Sequence, residues 1–168
     1  MKWLVIGSIG LPMPDIFGRL QQGGLPHLNS SNSAKTSDAK KAYNCIAWAA
    51  GDTFRWWWPI RRPGVNYWPK APRLETIEAF IAAFETLGYR KCNDGAKEEG
   101  IEKVVLYAKL HRGTLIPTHA ARQLDAGQWT SKLGIHEDVR HDTVNDVAGP
   151  AYGEPVCYLG RPRPSTNI

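Results

Sequence analysis

The chain has no CxxC or HExxH motif, no clustered carboxylates and no apolar run near the ~18 residues that cross a bilayer. Without those motifs a zinc site would need ligands gathered from distant segments. The missing acidic cluster argues against metal-assisted phosphoryl chemistry. No metal or other cofactor is expected, and no membrane partner. Cysteine is scarce: Cys45, Cys92 and Cys157 are odd in number and widely spaced, poor material for a disulfide framework and suited to a reducing compartment. The start, Met1 to Pro12, has one positive charge and an apolar stretch broken by two glycines, with no small-x-small cleavage site. The expectation is a soluble, cytoplasmic protein, although export by a route that needs no signal leaves no trace in a sequence.

What is present fits one domain. The 168 residues are 42% hydrophobic and 22% charged, ordinary values for a globular chain long enough to bury a core. Net charge is +5, from 21 basic and 16 acidic residues. That favours anionic partners, but the charge is not gathered on one helix as a nucleic-acid binder would have it, so nucleic acid is not an expected partner. The sequence does not set the oligomeric state.

Residues 7–37 are rich in Gly, Pro, Ser and Asn, which reads as an irregular arm over 1–37, with the domain proper spanning 38–168. A short helix is expected from Asn44 to Ala50, stopped by Gly51, with an alternative start near Ser37-Asp38. Phe54 to Pro72 is rich in Trp, Arg and Pro and reads as irregular. Ile77, Phe80, Ile81, Phe84 and Leu87 have amphipathic helical spacing, with Gly88 as the stop. Strands are expected at Tyr89–Cys92, Lys103–Ala108, Thr118–Leu124, Gln128–Leu133 and Val156–Leu159, the third and fourth joined as a hairpin by Asp125-Ala126-Gly127. Helices first and strands afterwards imply an α+β domain with an antiparallel sheet of about five strands.

A thiol at a helix start and a later imidazole on a strand are the two halves of a thiol hydrolase. Asn44 as N-cap places Cys45 in the first turn, where unpaired N–H groups favour a thiolate and can serve as an oxyanion hole. Against this stands the ordinary behaviour of free Cys, a small buried hydrophobe. His119 is the candidate base, its alternative being a histidine packed at the sheet rim. The strand from Gln128 to Leu133 returns beside it, and Ser131 is the preferred orienting group. His136, Asp138 and His141 are alternatives if the following loop folds back. Lys132 is disfavoured because its charge opposes protonation of the base. His27 and His111 read as surface residues, Cys92 and Cys157 as core.

The tryptophans need separate treatment. Arg55-Trp56-Trp57-Trp58-Pro59-Ile60-Arg61-Arg62 interleaves indoles with guanidinium groups, as stacking platforms for sugars or bases do. The plainer reading is a loop closing over the core beside the Cys45 helix. In either case Trp48, Trp56, Trp57 and Trp58 are candidates for one wall of a cleft.

The run YNCIAWAAGD, the later Trp-Trp-Trp-Pro and Tyr-Trp-Pro, and PTHAARQL, WTSKLG and Tyr152-Gly153 resemble an uncharacterised bacterial domain family over roughly residues 38–163. More remotely, Cys on a helix, His on a strand and a polar residue on the next strand resemble the papain-like fold of compact NlpC-type cell-wall peptidases. That resemblance implies nucleophile, base and orienting roles for Cys45, His119 and the neighbourhood of Ser131. Asn44 stands where NlpC-type enzymes commonly carry Asp. The implied activity is a thiol hydrolase or acyl transferase on an amide bond (peptidase, amidase or deamidase) with a peptide, protein or cell-wall peptide substrate. The alternative is a non-catalytic module whose basic Trp loop grips a glycan or anionic ligand.

Overall fold

The computed structural model describes residues 15–165. The signal-like start and the first part of the arm lie outside the described residues. In chain order the elements are α1 (Ile16–Gln22), β1 (Ser33–Ser37), α2 (Cys45–Ala50), β2 (Trp56–Trp57), β3 (Asn66–Tyr67), α3 (Ile77–Glu85), β4 (Arg90–Cys92), β5 (Ile101–His111), β6 (Thr114–Gln123), β7 (Trp129–Lys132), β8 (Asp138–His141), a 3-10 turn (Val144–Val147) and β9 (Glu154–Pro162). Seven strands form one sheet in the order β1-β8-β7-β6-β5-β9-β4, every pairing antiparallel, while β2 and β3 form a small parallel pair.

Five of the strands lie where alternation predicts them, but the architecture does not. The expected helix-first, papain-like α+β arrangement with about five strands is overturned: the chain is mostly β, with three short helices beside a seven-stranded sheet. The physical reason lies in the 7–37 arm, whose composition suggested irregular chain. It supplies α1, capped by Asp15, and β1, which adds to β8 at the sheet edge. Leu20, Leu25 and Leu28, scattered among polar residues, are all buried. The Trp-rich stretch likewise contains β2 and β3 rather than being wholly irregular.

Both sheet faces are covered. Val104, Leu106, Ala120 and Leu159 pack with α2, α3 and the Trp loop; Phe80 and Phe84 of α3 are fully buried there. Val105, Tyr107, Ala121 and Val139 point the other way, onto Leu20, Leu25, Leu28 and Val147. The pleat that separates Ala120 from Ala121 sorts every residue of β6 onto one face or the other.

The longest pairing is the β5–β6 hairpin, which turns through Arg112 (φ 49°) and Gly113 (φ 79°), both left-handed as a two-residue type I′ turn requires. Two irregularities in this region shape the site. The ladder passes from Tyr107↔His119 to Ala108↔Pro117, leaving Thr118 as a bulge. Strand β6 meets β7 only at Arg122↔Thr130 and Gln123↔Trp129. Towards Thr118 the edge of β6 therefore has no strand beside it.

Candidate functional site at the open edge of β6

α2 fills that opening. Its first residue is Cys45, and Asn44 caps it: the Asn44 Oδ1 accepts from the Ala47 N–H at 3.1 Å. The same amide accepts from the Trp57 N–H at 3.1 Å and donates to the Trp57 carbonyl at 2.9 Å, tying the helix start to β2. The Cys45 thiol donates weakly to the Thr118 carbonyl at 3.9 Å. It is 7% exposed, and burial pushes its pKa up to about 11. The N–H groups of Ala120, Ile46 and Cys45 itself offset part of that shift. The sequence expectation of a thiolate is thus reversed for the free protein, because desolvation outweighs the amides of a six-residue helix.

His119 lies between the two β6 residues that flank the sulfur, and its side chain falls on the face of Tyr107 and Ala121. It is fully buried, with Tyr107 edge-on and the Tyr152 ring stacked 4.0 Å away at 12°. A chain of hydrogen bonds runs from its ring: His119 Nε2 to Ser131 Oγ at 2.9 Å, Ser131 Oγ to His141 Nε2 at 2.9 Å, and His141 Nδ1 to the Thr143 carbonyl at 2.8 Å. Burial holds His141 below the usual imidazole range and His119 well below it, and at His119 the neighbouring His141 adds to the downward shift. Both are therefore neutral at pH 7.

The chemistry of these groups fixes the direction of the chain. A carbonyl only accepts, so the His141 proton sits on Nδ1 and its Nε2 is an acceptor. Ser131 must donate to that Nε2, which leaves its oxygen to accept from His119 Nε2–H. His119 consequently bears its proton on Nε2, and Nδ1 carries the lone pair. That Nδ1 is buried and has no hydrogen-bond partner. Leaving such an acceptor unsatisfied costs about 1–3 kcal/mol.

The structure thus joins His119, Ser131 and His141. It brings Cys45 to the backbone on either side of His119, without a hydrogen bond between sulfur and imidazole. His141 was only an alternative in the sequence; the signal that would have raised it is the Gly134-Ile135 turn, closed by the Leu133 N–H on the Glu137 carbonyl, which leads back into β8 and sets Ser131↔Val139 and Trp129↔His141 in register. His136 gives its carbonyl to the Lys132 ammonium, and Asp138 pairs with Lys132 at 3.8 Å and accepts from the Tyr43 hydroxyl at 2.8 Å. These groups sit on the α2 side of β7, so Lys132 does not face the base. Cys157 is buried and Cys92 half-buried.

A cavity of about 420 Å³ opens on Cys45, walled by Asn44, Trp56, Trp58, Thr118 and Tyr152, with Arg62 at its rim. Two of the four candidate tryptophans line it. Trp48 instead donates to Thr130 Oγ1 at 3.0 Å and stacks on Tyr43, and buried Trp57 donates to Asp52 at 2.9 Å. Among the described residues no group of three or more His, Cys, Asp or Glu side chains could hold a metal ion, and no helix is long and apolar enough to cross a membrane.

Comparison with curated proteins and with solved structures returns no match. A family profile described as "Domain of unknown function (DUF7689)" matches residues 34–160, from β1 into β9 and including every residue of this site, and the chain belongs to that family.

Proposed function

We propose that the protein is a thiol hydrolase or acyl transferase acting on an amide bond, with Cys45 as nucleophile and His119 as base. The observation that carries this reading is the buried, unpartnered lone pair on His119 Nδ1, assigned by a hydrogen-bond chain anchored on a backbone carbonyl. A general base needs a free lone pair of this kind. Ser131 and His141 act as positioning residues that keep the proton on Nε2.

Because thiol and imidazole are both neutral in the free protein, deprotonation accompanies attack. Cys45 belongs to the α2-side cluster and the imidazole lies on the other face of β6, so the step requires the two to meet at the open edge beside Tyr152. There the Cys45 proton passes to His119 Nδ1 as sulfur bonds to the carbonyl carbon. The N–H groups at the start of α2 and of Ala120, which already favour the sulfur anion, lie beside the developing negative charge. The Nδ1 proton then goes to the departing amine as the C–N bond breaks. Water attacks the thioester, giving a proton to Nδ1; the C–S bond breaks, and the thiol recovers that proton. With an amine in place of water, the same step is acyl transfer.

The test uses p-nitrophenyl acetate and mass mapping of the three thiols. Acetylation concentrated on Cys45, and lowered about 100-fold or more in His119→Ala, is the expected result. Equal labelling of Cys45, Cys92 and Cys157, or a Cys45 rate indifferent to His119, would remove the thiol reading.

A further inference from the structure

The Cys45 cavity does not end at its tryptophans. A second cavity, of about 690 Å³, shares Trp56, Arg62 and Asn66 with it and continues past Lys41, Arg55 and Tyr67 to Phe54 and Val65. The two form one cleft running outward from the thiol. Every charged side chain along it is a cation, and no Asp or Glu lines either part. Arg55 is committed elsewhere: it pairs with Asp52 at 2.8 Å and lies 3.6 Å over the Tyr67 ring. Neither Lys41 nor Arg62 forms an ion pair among the described residues.

The walls are built rather than loose. Trp56 Nε1 donates to the Lys41 carbonyl at 2.6 Å, which fixes the indole between the two parts. The loop that presents Arg62 is closed by its own carbonyl, which accepts from the Val65 and Asn66 N–H groups at 3.0 and 2.9 Å. Asn66 Nδ2 donates to the Ile60 carbonyl at 3.0 Å across the same loop. At the rim, Phe54, Val65 and Ile60 are 86%, 52% and 49% exposed, so large apolar side chains border the cleft.

We propose that this cleft binds an extended acidic segment of a protein, with Arg62 and Lys41 receiving its carboxylates and the Phe54–Val65 rim its apolar side chains. Charge complementarity selects that occupant. The cations line the same cleft as the Trp56 indole with no competing anion, and an acidic segment with interspersed apolar residues matches both features along one path. The position of the scissile amide rests on the thiol reading, since only that reading makes the inner end of the cleft the reacting end. Binding itself does not depend on it.

The experiment is fluorescence anisotropy on the full chain carrying Cys45→Ser, with a fluorescein-labelled peptide of alternating Glu and Leu. Its Gln-Leu and Lys-Leu analogues and a single-stranded oligothymidylate serve as competitors. The Glu peptide is expected to bind, to weaken with added salt, and to lose roughly tenfold or more in affinity with Arg62→Glu, while Arg62→Lys retains part of it. Arg62 is exposed, so the thermal midpoint should hold; Lys41→Glu gives the same reading at the outer end. Equal binding of the Gln peptide overturns the proposal, as does tighter binding of the oligothymidylate with the same Arg62 dependence. Peptide binding without His119-dependent acetylation keeps the cleft and removes the chemistry. Acetylation without preference for the Glu peptide does the reverse.

Discussion

Thr143 sets the protonation of a ring it does not touch. Its carbonyl holds the His141 proton on Nδ1, Ser131 relays that choice, and His119 is left with a bare Nδ1. Two neutral buried imidazoles have a measurable consequence. With folded pKa values below the unfolded ~6.5, the unfolded chain takes up protons first as pH falls, so their contribution is complete above about pH 6.5 and is lost below it. Each ring contributes a slope of up to about 1.4 kcal/mol per pH unit until its own folded pKa is reached. Urea midpoints measured between about pH 7 and pH 5 should fall, and a His119→Gln, His141→Gln variant should flatten the decline. A wild-type midpoint constant over that window would mean that the rings take up protons in the fold as readily as in the unfolded chain, and the assigned chain is wrong. Cys45 shows the limit of residue-level reading. Its type and its position after Asn44 are written in the sequence, but the Thr118 and Ala120 backbone that seals it comes from β6, far along the chain, and so the upward shift of the thiol was not legible.

At the scale of elements, α2 and β2 are held as one unit by a single amide. Asn44 accepts from Ala47 and Trp57 and donates to the Trp57 carbonyl, all from a side chain in a residue 4% exposed. Asp is as good an N-cap as Asn in an isolated helix, yet here it has no proton for the Trp57 carbonyl. Asn44→Asp is therefore expected to cost about 2 kcal/mol and Asn44→Ala about 3 kcal/mol, read from chemical denaturation. An Asp variant as stable as wild type would show that the bond to Trp57 contributes nothing. The capping role was visible from local spacing; the bond to Trp57 was not, because it needs the backbone of β2 to pass the helix start. The same divide runs through the sheet. Strands with two-residue alternation and a Gly turn, such as β6 and β7, could be read directly, and so could α3 from its apolar stripe. β1 and β8 could not, since Ser33–Ser37 and Asp138–His141 are polar segments whose strand character comes from pairing, β8 with β7 and β1 with β8.

For the whole molecule, the composition break near Asp38 marks no boundary in the packing. The sheet face carrying His119, Tyr107 and Val139 is covered by chain that precedes it: Leu20 and Leu25 are 5% and 4% exposed and Leu28 is fully buried. Gln21 Nε2 donates to the Leu28 carbonyl at 2.6 Å, and Asn32 Nδ2 reaches Asp146 at 3.2 Å, fixing the arm across the 3-10 turn that follows His141. Burial of each leucine contributes about 1.5–3 kcal/mol, so three of them together rival the ~5–15 kcal/mol net stability of an ordinary domain. Removing β1 also strips β8 of its outer partner and of the Ser37 hydroxyl that bonds Asp138 beside buried Lys132. A chain beginning at residue 38 is accordingly expected not to reach the native state, giving non-cooperative urea unfolding, a weakened near-ultraviolet dichroism and binding of a hydrophobic dye. Leu28→Ala in the full chain should unfold cooperatively at a stability lower by about 2–5 kcal/mol. If the shortened chain instead unfolds cooperatively with the wild-type midpoint, the arm is an appendage, and the burial of His119 and its neutral ring must be secured by the remaining strands alone.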